Sequence, residues 1–184
     1  MVTKKIASSE GFFQNTPEYF TRFKGKTIAS DDIKTTDFKG LKVAVIGANQ
    51  ATVTQLNQIL DQAEFVKVFQ ISPAFILPQT EKETQKLISH PLITKNRRLF
   101  NTRVKSLLAL RYLESQVQEK WLSRQLMPNS ADKNKVFLKA DTYYTALQRG
   151  NTELFTWPVV KITEHAIQSM EGSEHLVDVI ITTY

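Results

Sequence analysis

The 184-residue sequence contains no cysteine, which excludes disulfide bridges and thiolate metal sites. It also contains no run of about 18 apolar residues, so we expect no transmembrane helix. The first residues, Met1 to Glu10, include two lysines but no apolar core after them, unlike a secretory signal. A cytoplasmic location is the simplest expectation from these absences.

The composition is that of an ordinary globular protein with a basic surface. Hydrophobic residues make up 41% of the chain, which is long enough for one domain or for one domain with an inserted piece. The formal net charge is +6 and the sequence pI is about 9.5. Nucleic acid, anionic lipid or a phosphorylated ligand would suit such a charge, but solubility alone also explains it.

Three consecutive segments predict a β-α-β unit. Residues 41–46 form an apolar-rich run typical of a buried strand, and residues 65–69 form a second one before Ser72-Pro73. Between them, a helix over residues 50–62 is predicted from apolar residues at helical spacing: Val53, Leu56, Ile59 and Leu60. The unit spans about 30 residues, the size of a right-handed crossover between parallel strands.

The segment that joins the first strand to this helix has the layout of a dinucleotide-binding turn. Such a turn has the pattern Gly-x-Gly-x-x-Gly/Ala, whose glycines let a pyrophosphate approach the backbone at a helix N-terminus. Gly47 is kept, whereas Asn49 takes the second glycine position and Thr52 the third. The residues predicted to contact a nucleotide here are Gly47, Ala48, Asn49, Gln50, Ala51 and Thr52. Because Asn49 adds a side chain where the pyrophosphate would lie, a retained turn without tight binding is the alternative.

The tip of the second strand lacks a charged residue that would select a cofactor. An NAD site places an acid there for the ribose hydroxyls, and an NADP site places a cation for the 2′-phosphate. The sequence instead reads Phe69-Gln70-Ile71-Ser72-Pro73. We expect Gln70 and Ser72 to supply weaker hydrogen bonds to a nucleotide.

The fold class predicted from these patterns is α/β, a Rossmann-like parallel sheet flanked by helices, with a helical insertion and a small β-hairpin. Residues 1–40 are predicted to be an N-terminal arm or linker, and residues 79–140 the insertion. Residues 41–78 and 141–184 are predicted to form the Rossmann-like domain. Short strands are expected at residues 153–155, 159–162, 166–170 and 177–181, with a hairpin turn at Glu171-Gly172-Ser173.

The insertion is predicted to contain one long amphipathic helix. Its apolar face would carry Phe100, Val104, Leu107, Leu108, Tyr112, Leu113, Val117, Trp121 and Leu122. Its basic face would carry Arg97, Arg98, Arg103, Lys105, Arg111 and Lys120. Such a face suits phosphate backbones, but the aromatic residues lie on the apolar side and are expected in the core, so no stacking platform and no nucleic-acid binding is expected.

Other catalytic and metal-binding constellations are absent from the sequence. His90, His165 and His175 lack metal-ligand spacing, and the last two flank the expected hairpin as surface residues. The sequence has neither a Gly-x-Ser-x-Gly elbow nor a phosphate-binding Gly-Lys-Ser/Thr loop. We therefore predict no catalytic residue and no metal ligand.

The chain resembles the NADPH-binding domain of flavin-dependent Baeyer–Villiger monooxygenases and, more loosely, other flavin-containing monooxygenases. The resemblance runs from about Phe23 to Ile181. It is carried by the order and spacing of five stretches: residues 42–48, 66–73, 121–128, 143–149 and 177–181.

The resemblance implies a parent protein in which this domain is inserted into a split FAD-binding domain. In active members, NADPH reduces FAD, and the flavin (hydro)peroxide then inserts oxygen into a ketone or oxidises a heteroatom. The sequence lacks the Gly-x-Gly-x-x-Gly of the FAD half. We therefore expect the chain to be the middle domain alone, with FAD in the parent only and the FAD-binding domain of the same parent as its partner.

Several positions depart from the family pattern. Residues 134–136 match the family's Cys-Lys-Arg, so the resemblance gives Lys135 the role of meeting the 2′-phosphate. Val136 stands in place of the arginine that supports the peroxyflavin, and Ile71 in place of the arginine at the second strand tip. In the arm signature, Phe23 and Gly25 are kept, while Ala29, Ile33 and Lys34 replace histidine, tryptophan and proline.

Together these departures predict that NADP binding is weak or lost. The chain alone is predicted to be inactive, since it has nowhere to hold flavin, and the parent is predicted to be impaired in NADPH use. The alternative hypothesis is a non-catalytic, degenerate Rossmann module kept for folding or partner binding.

Overall fold

Strands and helices alternate along the chain around a central parallel sheet. The computed structural model describes residues 22–79 and 102–183. Within these ranges the strands are β1 (Lys26–Ala29), β2 (Lys42–Ile46), β3 (Phe65–Phe69), β4 (Phe75–Leu77), β5 (Phe137–Lys139), β6 (Thr152–Phe155), β7 (Val159–Ile162), β8 (Ala166–Ser169), β9 (Glu174–Leu176) and β10 (Val179–Thr182). The helices are a 3₁₀ helix (Ser30–Thr35), α1 (Gln50–Gln62), α2 (Thr102–Gln116), α3 (Lys120–Gln125) and α4 (Tyr143–Leu147).

Five strands form the central sheet in the order β1-β10-β2-β3-β6, and all neighbours run parallel. Strands β4 and β5 form a separate parallel pair, and β7, β8 and β9 form an antiparallel sheet. The predicted fold class, a parallel sheet flanked by helices with a small hairpin, is confirmed. The β8–β9 hairpin turns at the predicted residues 171–173.

Both faces of the central sheet are covered, which explains why its strands are apolar at successive positions. Alternate residues of a strand point to opposite faces. Val43 and Val45 of β2 pack in the cluster that contains α1, while Ala44 and Ile46 pack in the cluster that contains β7 and β8. The molecule therefore has a helical layer, a parallel sheet and a small antiparallel sheet, with one apolar core on each side of the central strands.

Helix α1 confirms the predicted element, bounds included. Its apolar residues at helical spacing, Val53, Leu56, Ile59 and Leu60, are buried. Asn49 caps its first turn, and the backbone leaves the helix at Ala63 in an extended conformation. The β2-α1-β3 unit thus follows the sequence pattern closely.

The prediction of a single long helix in the insertion is wrong within the described residues. The helix ends at Gln116, and a new one starts at Lys120, where the Glu119 carboxylate accepts from the N–H groups of Trp121 and Leu122. This cap stabilises a separate helix start. Trp121, expected in the core, is 66% exposed, whereas Tyr112 is buried as predicted. Residues 80–101, which include Phe100 and part of the basic face, lie outside the described residues.

Part of the predicted N-terminal arm contributes to the sheet. Strand β1 extends the parallel sheet at its edge by pairing with β10, and the 3₁₀ helix contacts α1. Strands β4, β5 and β9 were not predicted from the sequence. Across residues 22–79 and 102–183, no helix combines the length and the apolar character needed to cross a bilayer.

Candidate functional site

The turn after β2 is built around Gly47. This residue has φ +88°, in the left-handed region that favours glycine, and its N–H donates to the Phe69 carbonyl at 2.9 Å. A Cβ at this position would collide with Oγ1 of Thr183. The Thr183 hydroxyl itself donates to the Ile46 carbonyl at 3.2 Å. Glycine is therefore required here by the packing of the chain on itself.

Asn49 acts as the N-cap of α1. Its side chain accepts from the Thr52 N–H at 3.0 Å, and Oγ1 of Thr52 accepts from the Asn49 N–H at 2.9 Å. The Asn49 amide also donates to Oγ of Ser30 at 2.7 Å. Its backbone is extended, with φ −132° and ψ −178°, so it does not use the left-handed conformation that asparagine tolerates. This reciprocal cap occupies two N–H groups of the kind that a pyrophosphate would use.

Gln50 also bonds within the chain. Its side chain exchanges two hydrogen bonds with the backbone of Lys139, at 2.7 and 3.0 Å, and so ties β5 to the start of α1. Ala51 lies half-buried in the first turn of the same helix. The predicted nucleotide turn thus also holds the strands and helices around it together.

Gln70 directly follows the last residue of β3, and its side chain is buried. It is 3% exposed, and its Oε1 accepts from the Tyr143 hydroxyl at 2.5 Å. Burial raises the pKa of the Tyr143 phenol well above its usual range, so the hydroxyl keeps its proton even in alkaline solution. This bond joins the end of β3 to α4.

An open cleft of about 390 Å³ lies at the carboxyl ends of β2 and β3. It is lined by Ala48, Ile71, Ser72, Pro73, Ala74, Phe75, Met127, Asn129, Asp132, Asn134, Lys135 and Val136. The cleft brings together three of the predicted site residues, Ala48, Ser72 and Lys135. It also brings together Ile71 and Val136, the two positions at which the resemblance would place arginine.

Lys135 is held against the wall of this cleft. Its Nζ donates to Oγ of Ser106 at 3.5 Å and lies 5.5 Å from the centre of the Phe75 ring. A cation this close to an aromatic face is attracted to it. The carboxylate in the lining, Asp132, accepts from the Asn134 N–H at 2.9 Å. Sequence reasoning missed Ser106 and Phe75; the apolar run Phe75-Ile76-Leu77 after Pro73 was the available signal.

The two C-terminal histidines differ in environment. His165 is exposed, as predicted. The prediction that His175 is a surface residue is wrong, because its ring is 5% exposed and lies 4.2 Å from the centre of the Phe155 ring. Burial, and then the Lys67 ammonium 3.3 Å from Nδ1, lower the pKa of His175. Within the part of the chain that the structure describes, no group of His, Asp and Glu side chains is placed to hold a metal ion; His90 lies outside it.

Comparison with known proteins identifies relatives among monooxygenases, while no protein-family model matches the chain. A Baeyer–Villiger monooxygenase of Pseudomonas aeruginosa is 28% identical over 167 residues, covering 79% of this chain and 32% of that protein. An FAD-binding monooxygenase of Aspergillus niger is 25% identical over 174 residues, covering 81% of this chain and 28% of that protein. The chain thus spans about a third of the length of the curated relatives it matches.

Solved structures show the same fold. The crystal structure of cyclohexanone monooxygenase from Rhodococcus sp. Phi1 bound to NADP+ superposes with a TM-score of 0.72 at 16% identity, covering 92% of this chain and 44% of that one. The predicted resemblance is confirmed: the homologues of this chain are Baeyer–Villiger and FAD-binding monooxygenases, and the chain corresponds to part of them.

Proposed function

We propose that this chain is the NAD(P)H-binding-domain portion of a flavin-dependent monooxygenase-like oxidoreductase. The observation that carries the proposal is the cleft at the carboxyl ends of β2 and β3, beside a glycine turn that opens α1. Open parallel sheets bind nucleotides in this position. The FAD-binding domain of the same parent protein would hold the flavin and would be the partner of this domain.

We further propose that the nucleotide site is degenerate, so that NADP binding is weak or lost and the chain alone is inactive. The residues present do not fit the charged parts of NADP well. Asn49 uses its side chain to cap α1, and apolar Ile71 and Val136 line the cleft. The ammonium of Lys135 is drawn to Ser106 and the Phe75 ring. We therefore assign no chemical step to a nucleotide bound here.

A non-catalytic module is the second candidate function. The bonds of Asn49, Gln50 and Gln70 within the chain favour it, since each joins parts of the fold that are distant in sequence. In this case the turn would be retained for folding or for binding the neighbouring domain, and no nucleotide would be required.

The test is a calorimetric titration with NADPH and NADH of the wild-type chain and of a restored variant. The restored variant carries Asn49→Gly, Ile71→Arg and Val136→Arg. We expect wild type to bind either nucleotide more weakly than about 1 mM. The restored variant should bind NADPH at least about tenfold more tightly, because an arginine at position 71, on the strand tip, can add a charge-assisted hydrogen bond to the 2′-phosphate. NADH affinity should change less, since NADH lacks the 2′-phosphate.

The matched control is Val160→Arg, which adds one arginine at an exposed valine on β7, away from the cleft. It should leave NADPH binding unchanged. Micromolar NADPH binding by wild type would contradict the degenerate site. If the restored variant folds natively but still does not bind NADPH, the result would favour the non-catalytic module. Normal NADPH-dependent oxygenation by the full-length parent would contradict the proposed impairment.

A further inference from the structure

A second cavity lies at the opposite end of the central sheet from the cleft. It has a volume of about 390 Å³ and is bounded by the first residues of β2 and β3, by β6 and by β9. The lining residues that matter here are Lys42, Phe65, Lys67, Glu153, Glu174 and Leu176. This cavity is separate from the proposed nucleotide cleft, because the two lie at opposite ends of the strands. Its function therefore has to be inferred from its own residues.

Strand register explains why charges gather in this cavity. Lys67 pairs with Ala44 on one side and with Glu153 on the other. Two residues further along β3, Phe69 pairs with Ile46 and Phe155 and packs under the small antiparallel sheet. The same sheet face is therefore apolar toward the carboxyl ends and charged toward the amino ends.

Lys67 has no carboxylate partner within ion-pair distance among residues 22–79 and 102–183. Its Nζ lies 3.3 Å from Nδ1 of His175, and the Phe155 and Phe65 ring centres are 5.8 and 6.0 Å away. An ammonium group can only donate, so Nδ1 accepts and the neutral imidazole carries its proton on Nε2. The ion pairs formed by the described residues do not include Lys67.

Two of the three carboxylates that line the cavity likewise have no ion-pair partner among the described residues. Lys42 and Glu64 pair with each other at 3.9 Å, which balances their charges. Within residues 22–79 and 102–183, Glu153 and Glu174 take part in no ion pair. One ammonium and two carboxylates therefore face a cavity whose other walls include Phe65 and Leu176, a leucine that is 62% exposed.

We propose that this cavity binds a compact zwitterion with an apolar body, of the α-amino acid class. The ligand's carboxylate would accept from Lys67, and its ammonium would donate to Glu153 and Glu174, while its apolar part would cover Phe65 and Leu176. A lone anion would be repelled by the two glutamates, and a lone cation would leave Lys67 uncompensated. Only a ligand with both charges satisfies all three groups.

The experiment is a titration of the full chain with L-leucine and with two analogues that each lack one charge, and NMR monitors the binding. The analogues are 3-methylbutylamine, without the carboxylate, and 4-methylpentanoate, without the ammonium. We expect leucine to shift the backbone signals of Lys67, Glu153 and Glu174 at up to about 10 mM, and each analogue to bind at least about tenfold more weakly. Absence of leucine binding, or an analogue that binds as tightly as leucine, would overturn the proposal.

Substitutions of Lys67 and Glu153 test which side chain binds each charge of the ligand. Lys67→Met keeps the apolar stem and should weaken leucine binding at least about tenfold, whereas the exposed control Lys161→Met should have no effect. If Lys67→Met disturbs the fold, Glu153→Gln gives an independent result, because this side chain is exposed. Glu153→Gln should weaken leucine binding and strengthen 4-methylpentanoate binding, since it removes a repelling charge. Unchanged affinities for both ligands would refute the assignment.

Discussion

The two ends of the central sheet use their polar groups differently. At the carboxyl end, where a nucleotide was predicted, Asn49, Gln50 and Gln70 all bond within the chain. At the amino end, Lys67 donates to an imidazole, and Glu153 takes part in no ion pair of the described residues. Polar residues of a predicted ligand-binding turn therefore form hydrogen bonds within the fold, whereas charges without an ion-pair partner among the described residues lie at the end of the sheet that has no sequence motif.

The substitution Gly47→Ala tests the structural role of the carboxyl-end turn and is expected to have the largest effect. We expect the free energy of unfolding to fall by about 3 kcal/mol. Left-handed backbone costs alanine about 1–2 kcal/mol, and overlap with Thr183 costs about 1–3 kcal/mol. Urea unfolding of wild type and variant measures the difference.

Gly40→Ala is the matched control, because Gly40 has φ +68° with nothing within 4 Å of an added Cβ. It should lose only the backbone share of the stability. Adding Thr183→Ala to Gly47→Ala should recover part of the overlap cost. Equal losses for Gly47→Ala and Gly40→Ala would show that contact with Thr183 does not matter.

A smaller effect is expected when the cap of α1 is removed. Asn49→Ala should lower the free energy of unfolding by about 1 kcal/mol, because the Thr52 N–H loses its acceptor. Asn49→Gly should cost only a few tenths, since glycine is a tolerated N-cap. Thermal unfolding followed by circular dichroism compares the two. An alanine variant as stable as wild type would mean that Asn49 does not serve the fold, and the contrast between the two ends would disappear.

The smallest expected effect is a pH dependence at the amino end. Burial and Lys67 lower the pKa of His175, and Glu153 and Glu171 oppose this shift only in part. The unfolded imidazole takes up a proton near pH 6.5, whereas the folded one does so only at lower pH. Between these values the unfolded state binds more protons, so stability falls as the pH falls below about 6.5.

Urea unfolding between about pH 7.5 and 5 tests this dependence in wild type, His175→Gln and His165→Gln. His175→Gln should flatten the decline in the free energy of unfolding. His165→Gln changes an exposed histidine and should leave the decline as in wild type. A decline that survives His175→Gln unaltered would assign it to other groups.

The elements whose structure depends on local sequence patterns were predicted from the sequence. The β2-α1-β3 unit and the hairpin at residues 171–173 follow from periodicity and turn residues. Strands β4 and β5 were missed because each has three residues and pairs with a segment about 60 positions away, which leaves no local signal. The position of His175 was predicted wrongly because β9 reads Glu-His-Leu. Here the histidine is buried and the leucine is exposed, whereas a strand usually buries its apolar residues and exposes its polar ones.

The candidate site was predictable in position but not in detail. The glycine turn located the carboxyl-end cleft, and Ala48, Ser72 and Lys135 do line it. The sequence does not reveal that Gln70 bonds to Tyr143 or that Lys135 lies against Ser106, because both contacts depend on tertiary packing. The amino-end cavity has no sequence motif, because it forms where the register of the parallel strands and the position of β9 bring distant residues together.

The place of β10 between β1 and β2 constrains the order in which the protein folds. β10 supplies the hydrogen-bonding neighbour of both strands, and the Asp178 side chain accepts from the N–H of Lys42, 136 residues earlier. Until this late segment leaves the ribosome, β1 and β2 present unpaired edges to other chains. Closing so long a loop is slow, so the pairing of β10 with β1 and β2 is expected to limit the rate at which this sheet folds.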